Sequence, residues 1–179
     1  MKLFFSILTT AVVPLMALFS FALLHLKAEN LEKYEKFCRN KIIGIIIGFP
    51  LICWCVPHAQ VIIFSWAEAY LWYAAIILSI LSYFYLDYLC ARAIGGLFII
   101  GAYCFVHAAW DFKFAGAVPI TIFSWIWGII GICISAKPSY LRDFFRKCAA
   151  NNKLRFASHI FLYLNAIIFG FIGLGELLK

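Results

Sequence analysis

The stretch HAAWD, residues 107–111, sets a histidine and an aspartate four positions apart. On a helix that spacing puts both side chains on one face. His58 and Glu68 stand near the ends of neighbouring apolar runs. Two imidazoles and a carboxylate, from His58, His107 and Asp111, form a donor set for a divalent metal or for general acid/base work. The competing reading leaves these three and Glu68 in water, solvating the ends of helices.

Other chemistry-bearing residues are sparser. His25 and His159 fall towards the opposite helix ends, so the four histidines divide into two pairs, as bis-histidine haem ligation would need. No local haem signature accompanies them, and no cofactor is expected. Cys53-Trp54-Cys55 lacks the two-residue spacer of thiol-exchange motifs. The remaining cysteines, Cys38, Cys90, Cys104, Cys133 and Cys148, show no zinc-ligand spacing and read as small buried hydrophobes. The sequence contains no phosphate loop, nucleophile elbow or metalloprotease helix.

The elements that must position these residues follow from composition. The 179 residues are 66% hydrophobic and only 13% charged, against about 25% charged in soluble domains. Mean hydropathy is +0.98. The apolar runs are long and lack the alternation of barrel strands. They suit helices of roughly 20 residues, the length that crosses a bilayer core. The expectation is an all-α integral membrane protein, a single transmembrane domain of six spans at about 3–25, 42–57, 68–88, 92–110, 116–136 and 156–177. The first run is too long for a signal-peptide core and no small-x-small site follows it, so it reads as a retained span. Pro50 and Pro57 make the second span's extent the least defined.

Charge sets the orientation. Six spans place residues 26–41, 86–93 and 137–155 on one side, where they hold Lys27, Lys33, Lys36, Arg39, Lys41, Arg92, Lys137, Arg142, Arg146, Lys147, Lys153 and Arg155. Only Lys2, Lys113 and Lys179 fall on the other. The positive-inside rule then puts the basic loops in the cytoplasm and both termini outside. The net charge of +7 is explained by this topology and needs no nucleic acid. Asp87 and Arg92 flank a very short hairpin and are expected to pair across it. Asn165, mid-span, is expected to hydrogen-bond to another helix. Gly44-x-x-x-Gly48, Gly95-Gly96, Gly128-x-x-Gly131 and Gly170-x-x-Gly173 mark close helix approaches.

LEKYEKFC at 31–38 echoes LRDFFRKC at 141–148, sharing Leu31/Leu141, Tyr34/Phe144, Lys36/Arg146 and Cys38/Cys148. Each is followed by Asn-Lys and a span. Duplication and convergence both account for the match. Either way, residues 30–39 and 139–149 read as short cytoplasmic amphipathic helices lying in the interface. Lys33, Lys36, Arg39, Arg142, Arg146 and Lys147 would meet anionic headgroups or a protein partner there.

YLDYLCARAIGGLFIIGAY, with SWIWGIIGICISAKPSYLRDFFRKCAANNKLRF, carries an Arg-x-x-Gly-Gly helix start and a Pro-x-x-Leu-Arg segment. Over about residues 83–175 the chain resembles small multi-pass bacterial inner-membrane proteins of unknown function. The resemblance implies an inner-membrane location and brings no catalytic residue with it.

The functional expectation is a non-enzymatic membrane protein, a scaffold or an accessory subunit of a membrane complex, with membrane-protein partners or further copies of itself. The alternative is a membrane-embedded enzyme or small transporter that uses His58, His107 and Asp111.

Overall fold

The computed structural model describes residues 2–112 and 117–177, and every regular element among them is helical. Eight α-helices follow in order: α1 (Lys2–Leu24), α2 (Leu31–Arg39), α3 (Lys41–Gln60), α4 (Glu68–Tyr85), α5 (Leu89–Phe112), α6 (Ala117–Ala136), α7 (Ser139–Ala150) and α8 (Asn152–Leu177). Lys113 and Lys179 lie outside the described residues. Five helices, α3, α4, α5, α6 and α8, are long and apolar enough to cross a membrane. The count reaches six if the bent pair Val12–Leu24 and Ala28–Arg39 is taken as one span. Such a chain is compatible with a membrane protein.

Local chemistry explains where these helices begin and bend. Asn40 caps α3, its side chain accepting from the amides of Ile42 (3.0 Å) and Ile43 (3.1 Å). Asn151 does the same for α8, accepting from Lys153 (2.9 Å) and Leu154. The echo between the two segments therefore extends to their caps, with Asn151 rather than Asn152 as the counterpart of Asn40. Pro50 and Pro57 do not end α3, which runs unbroken to Gln60, beyond the expected limit at 57. The fourth helix instead stops early, at Tyr85, because the chain turns at once through Leu86, Asp87 and Tyr88. Tyr88 has φ of 56° and is the sole non-glycine residue in the left-handed region among those described. That conformation costs an L-residue about 1–2 kcal/mol.

The contacts divide into two units. The first takes the described residues up to Glu32, those of Gly101–Trp127 and those from Asp143 onward. Here α1 packs along α8. Phe105, Ala109, Ile120 and Phe169 form its core, with the rings of Phe105 and Phe169 edge to face at 5.0 Å. Arg155 near the start of α8 donates to the carbonyl of Leu26 just past α1 (2.7 Å), which fixes one end of the pair.

The second unit takes Lys33–Ile100 and Gly128–Arg142. Here α3 packs on α4. Gly95 of α5 and Gly131 of α6 meet backbone to backbone. A Cβ on Gly131 would stand 2.6 Å from the carbonyl oxygen of Gly95, so the two helices approach as closely as they do only without side chains there.

Candidate functional site

The polar side chains of the apolar helices are where chemistry would have to occur, since such groups are costly in hydrocarbon. In the first unit, Ser20 of α1 is buried and its Oγ lies 2.6 Å from Nδ1 of His159 on α8. A serine against an imidazole is the starting geometry of a nucleophile and its base. The hydrogen-bond network argues otherwise. Nδ1 also lies 3.3 Å from the carbonyl of Ser20, an oxygen that only accepts. The Ser20 hydroxyl has its own acceptor, the carbonyl of His159 at 3.2 Å. The assignment that fits all three of these contacts has Nδ1 protonated and donating towards Ser20, while Ser20 donates to the His159 carbonyl. A protonated Nδ1 has no lone pair with which to take the serine proton. The pair is a two-way clasp between helices.

One helical pairing further on, the indole Nε1 of Trp127 donates to Oδ1 of Asn165 (3.1 Å). The Asn165 amide donates to the carbonyl of Phe161 (2.7 Å). Asn165 is fully buried, and it joins α8 to α6 as its mid-span position led one to expect.

In the second unit the expected Asp87–Arg92 pairing is replaced. Arg92 turns to α6 and donates from Nη1 to the carbonyl of Ser135 (2.7 Å), while its buried Nε finds no hydrogen-bond partner among the described residues. Asp87 stays exposed in the turn. The physical reason is local. The carbonyl of Ser135, next to the end of α6, is one of the groups a helix C-terminus leaves unpaired, and it attracts the cation.

Tyr88 gathers the basic residues of this unit. Its hydroxyl accepts from Nη2 of Arg39 (2.9 Å) and from Nη1 of Arg142 (3.3 Å). The Arg39 guanidinium also stands 5.1 Å from the centre of the Tyr88 ring. Arg39 comes from the end of α2 and Arg142 from the first turn of α7, so residues from both echoing segments meet at one phenol. The Arg39 hydrogen bond, reinforced by Arg142, lowers the Tyr88 hydroxyl below its ordinary value. Lys41 adds a third cation, its Nζ 5.8 Å from the ring centre of Tyr83. Of the other expected docking residues, Lys33, Lys36, Arg146 and Lys147 are exposed.

His58, at the end of α3, has Nδ1 3.1 Å from the carbonyl of Trp54 and belongs to the second unit. His107 and Asp111 share α5 in the first unit, both exposed, with the His107 ring against Tyr103. Glu68 opens α4. His25 directs Nδ1 to the carbonyl of Phe21 (3.1 Å). Among the described residues, no three or more His, Cys, Asp and Glu side chains are grouped to hold a metal ion. All seven cysteines are free thiols. Burial pushes the thiol of Cys38 up to about 12, and that of Cys148 upward too.

Tyr88, Ser20 and Ser135 were missed by sequence reasoning. Their partners lie far away in the chain, and a lone serine or tyrosine in an apolar sequence carries no spacing signal. No protein-family model, no curated protein and no solved structure matches this chain.

Proposed function

We propose that the chain is a non-enzymatic multi-pass protein of a bacterial inner membrane, acting as a scaffold or as an accessory subunit of a membrane complex. In this reading α1, α3, α4, α5, α6 and α8 are six spans of a helical bundle, both termini are outside, and α2 and α7 lie as amphipathic helices in the cytoplasmic interface. The observation that carries it is the use made of the polar groups. Ser20 with His159, Trp127 with Asn165, and Arg92 with Ser135 all join one helix to another. Polar side chains spent in this way serve assembly, where a reaction site or a conduction path would keep them facing a cavity.

Two further features support the reading. Large apolar side chains stand exposed along whole helices, as with Trp72, Tyr73, Ile76, Ile77, Ile80 and Phe84 of α4. Water tolerates such patches poorly, whereas lipid or a partner helix covers them without cost. In α7, Leu141, Phe145 and Cys148 are buried while Arg146 and Lys147 are exposed, the division an interfacial helix needs.

Reporter fusions test the topology. A fusion at Lys179 should report an external location, and one in the turn around Asn151 a cytoplasmic one. A cytoplasmic signal at Lys179 would remove the six-span arrangement. For the role itself, the intact protein is purified from mild detergent and its stoichiometric companions are identified. A reproducible membrane-protein partner or a defined homo-oligomer is expected. A monomer that turns over a substrate would reject the scaffold.

A further inference from the structure

The second unit carries a groove that polar assembly contacts do not use. It is about 320 Å³ in volume and runs between α3 and α4, lined by Ile45, Phe49, Ile76, Ile80, Tyr83 and Phe84. Ser79 also lines it, but its hydroxyl donates back to the carbonyl of Ala75 (2.7 Å), so the surface offered is carbon. From Ile76 to Phe84 it extends along nine residues of α4, about 12 Å at the helical rise. Ile80 and Phe84 are open to the outside, which makes the groove a furrow rather than a closed cavity.

Its two ends differ. Lys41, Ile45 and Phe49 are spaced by four, one face of α3, so the row that lines the groove finishes in a lysine. Tyr83, at the same end, has the Lys41 ammonium over its ring at 5.8 Å. Just beyond lie Arg39 and the Tyr88 hydroxyl, 2.9 Å apart, with Arg142 on the same oxygen. Because that oxygen accepts from two guanidiniums, its own proton is left over as a donor. An apolar furrow thus ends in three cationic side chains and a phenolic O–H. Its complement is a molecule with a hydrocarbon tail and an anionic head.

We propose that the α3–α4 furrow is a specific site for one anionic phospholipid. The phosphate is held by Arg39 and Lys41 with the Tyr88 hydroxyl, and one acyl chain lies along Ile45, Ile76, Ile80 and Phe84. This rests on the membrane reading above and deepens it by naming the lipid class and the place. The phosphate would also steady the left-handed Tyr88 turn.

Native mass spectrometry of the full chain, released from mild detergent and exchanged with phosphatidylglycerol or phosphatidylcholine of matched chains, tests the site. One phosphatidylglycerol should be retained in preference to phosphatidylcholine. R39Q and K41Q should each weaken retention about fivefold, the loss expected for one basic residue at a membrane surface. K153Q, which removes an exposed charge elsewhere, should leave it unchanged. I80W, which fills the furrow and keeps every charge, should also displace the lipid. Equal retention of both lipids, or undiminished retention by the R39Q/K41Q double variant, overturns the proposal. Glycerol 3-phosphate, a head without a tail, should not compete; displacement by it would make this a site for a free phosphate ester and reject the lipid. The membrane reading fails separately, if the chain stays monodisperse in buffer without detergent.

Discussion

Ser20 and His159, 139 positions apart, exchange hydrogen bonds in both directions between α1 and α8. Each residue supplies a donor and an acceptor to the other. S20A removes the hydroxyl half of the clasp and leaves the imidazole N–H only the longer contact to the Ser20 carbonyl, at 3.3 Å. The expected cost is about 0.5–1.5 kcal/mol, the range for hydrogen bonds between membrane helices. A lowered midpoint of thermal or SDS unfolding, read by circular dichroism, checks it. Because the His159 proton already faces Ser20, the hydroxyl is not activated, and a fluorophosphonate probe should leave Ser20 unlabelled. Labelling there would restore the nucleophile and its base.

The amide of Asn165 makes a second, independent join. N165A strands the Trp127 indole N–H inside the packing, whereas N165A combined with W127F removes both partners. The single change should cost about 1–2 kcal/mol. The double change should cost less than the sum of the two singles, a coupling that a double-mutant cycle measures directly. Strict additivity would mean that the 3.1 Å contact carries no energy.

The helical outline of this molecule was legible from residue type and run length, because long apolar runs without period-two alternation settle into single helices. The elements around α2, α6 and α7 match their sequence boundaries within a residue or two. Asn165 was readable for the same reason, since a buried amide must find a partner. Pairings between distant elements were not readable. Arg92 had an acidic neighbour five positions away, and proximity in the chain favoured Asp87. What decided the matter was the carbonyl of Ser135, brought close by the glycine contact between α5 and α6. Tyr88 was hidden more completely, because its importance comes from a backbone angle and from two arginines supplied by separate helices. The candidate set His58, His107 and Asp111 was drawn from spacing and side alone, and spacing says nothing about whether different helices converge.

That glycine contact predicts a contrast between two positions. In G131A the new methyl would meet the Gly95 carbonyl and the Phe98 Cβ, backbone and near-backbone atoms that cannot swing aside. Overpacking of this kind costs about 1–3 kcal/mol. Gly101, further along α5, has nothing within 4 Å of the place a methyl group would take. G101A should therefore be neutral or slightly stabilising, since alanine has the better helix propensity. Unfolding midpoints of the two variants should move apart; a shift of equal size in both would deny the close approach.

Cys38 and Cys148 occupy equivalent places in the echoing helices, and both are fully buried. Burial holds the Cys38 thiol protonated until about 12. A raised value favours the fold below the ordinary thiol range near 8.5, and that contribution drains away as pH climbs towards 12. At pH 8 a maleimide should therefore leave a variant retaining only Cys38 unmodified until SDS is added. A cysteine introduced by K36C, two residues away on the exposed side, should react at once. Equal rates at the two positions would contradict the burial of Cys38.

Tyr88 shifts the opposite way. Hydrogen bonding from Arg39 lowers its hydroxyl from the ordinary phenol value near 10. A lowered value adds stability as pH rises past the folded-state midpoint, completes that gain above the unfolded value, and loses it again as pH falls. Below that midpoint the arginines act as hydrogen-bond donors to a neutral oxygen. Tyrosinate absorbance of the wild type minus that of Y88F isolates this group from the eight other tyrosines. Its midpoint should lie below that of a free phenol. R39Q should raise the midpoint, and R142Q should raise it by less, because the Arg142 contact is the longer of the two. A midpoint unmoved by R39Q would separate Tyr88 from the end of α2 and leave its left-handed turn without the restraint assigned to it.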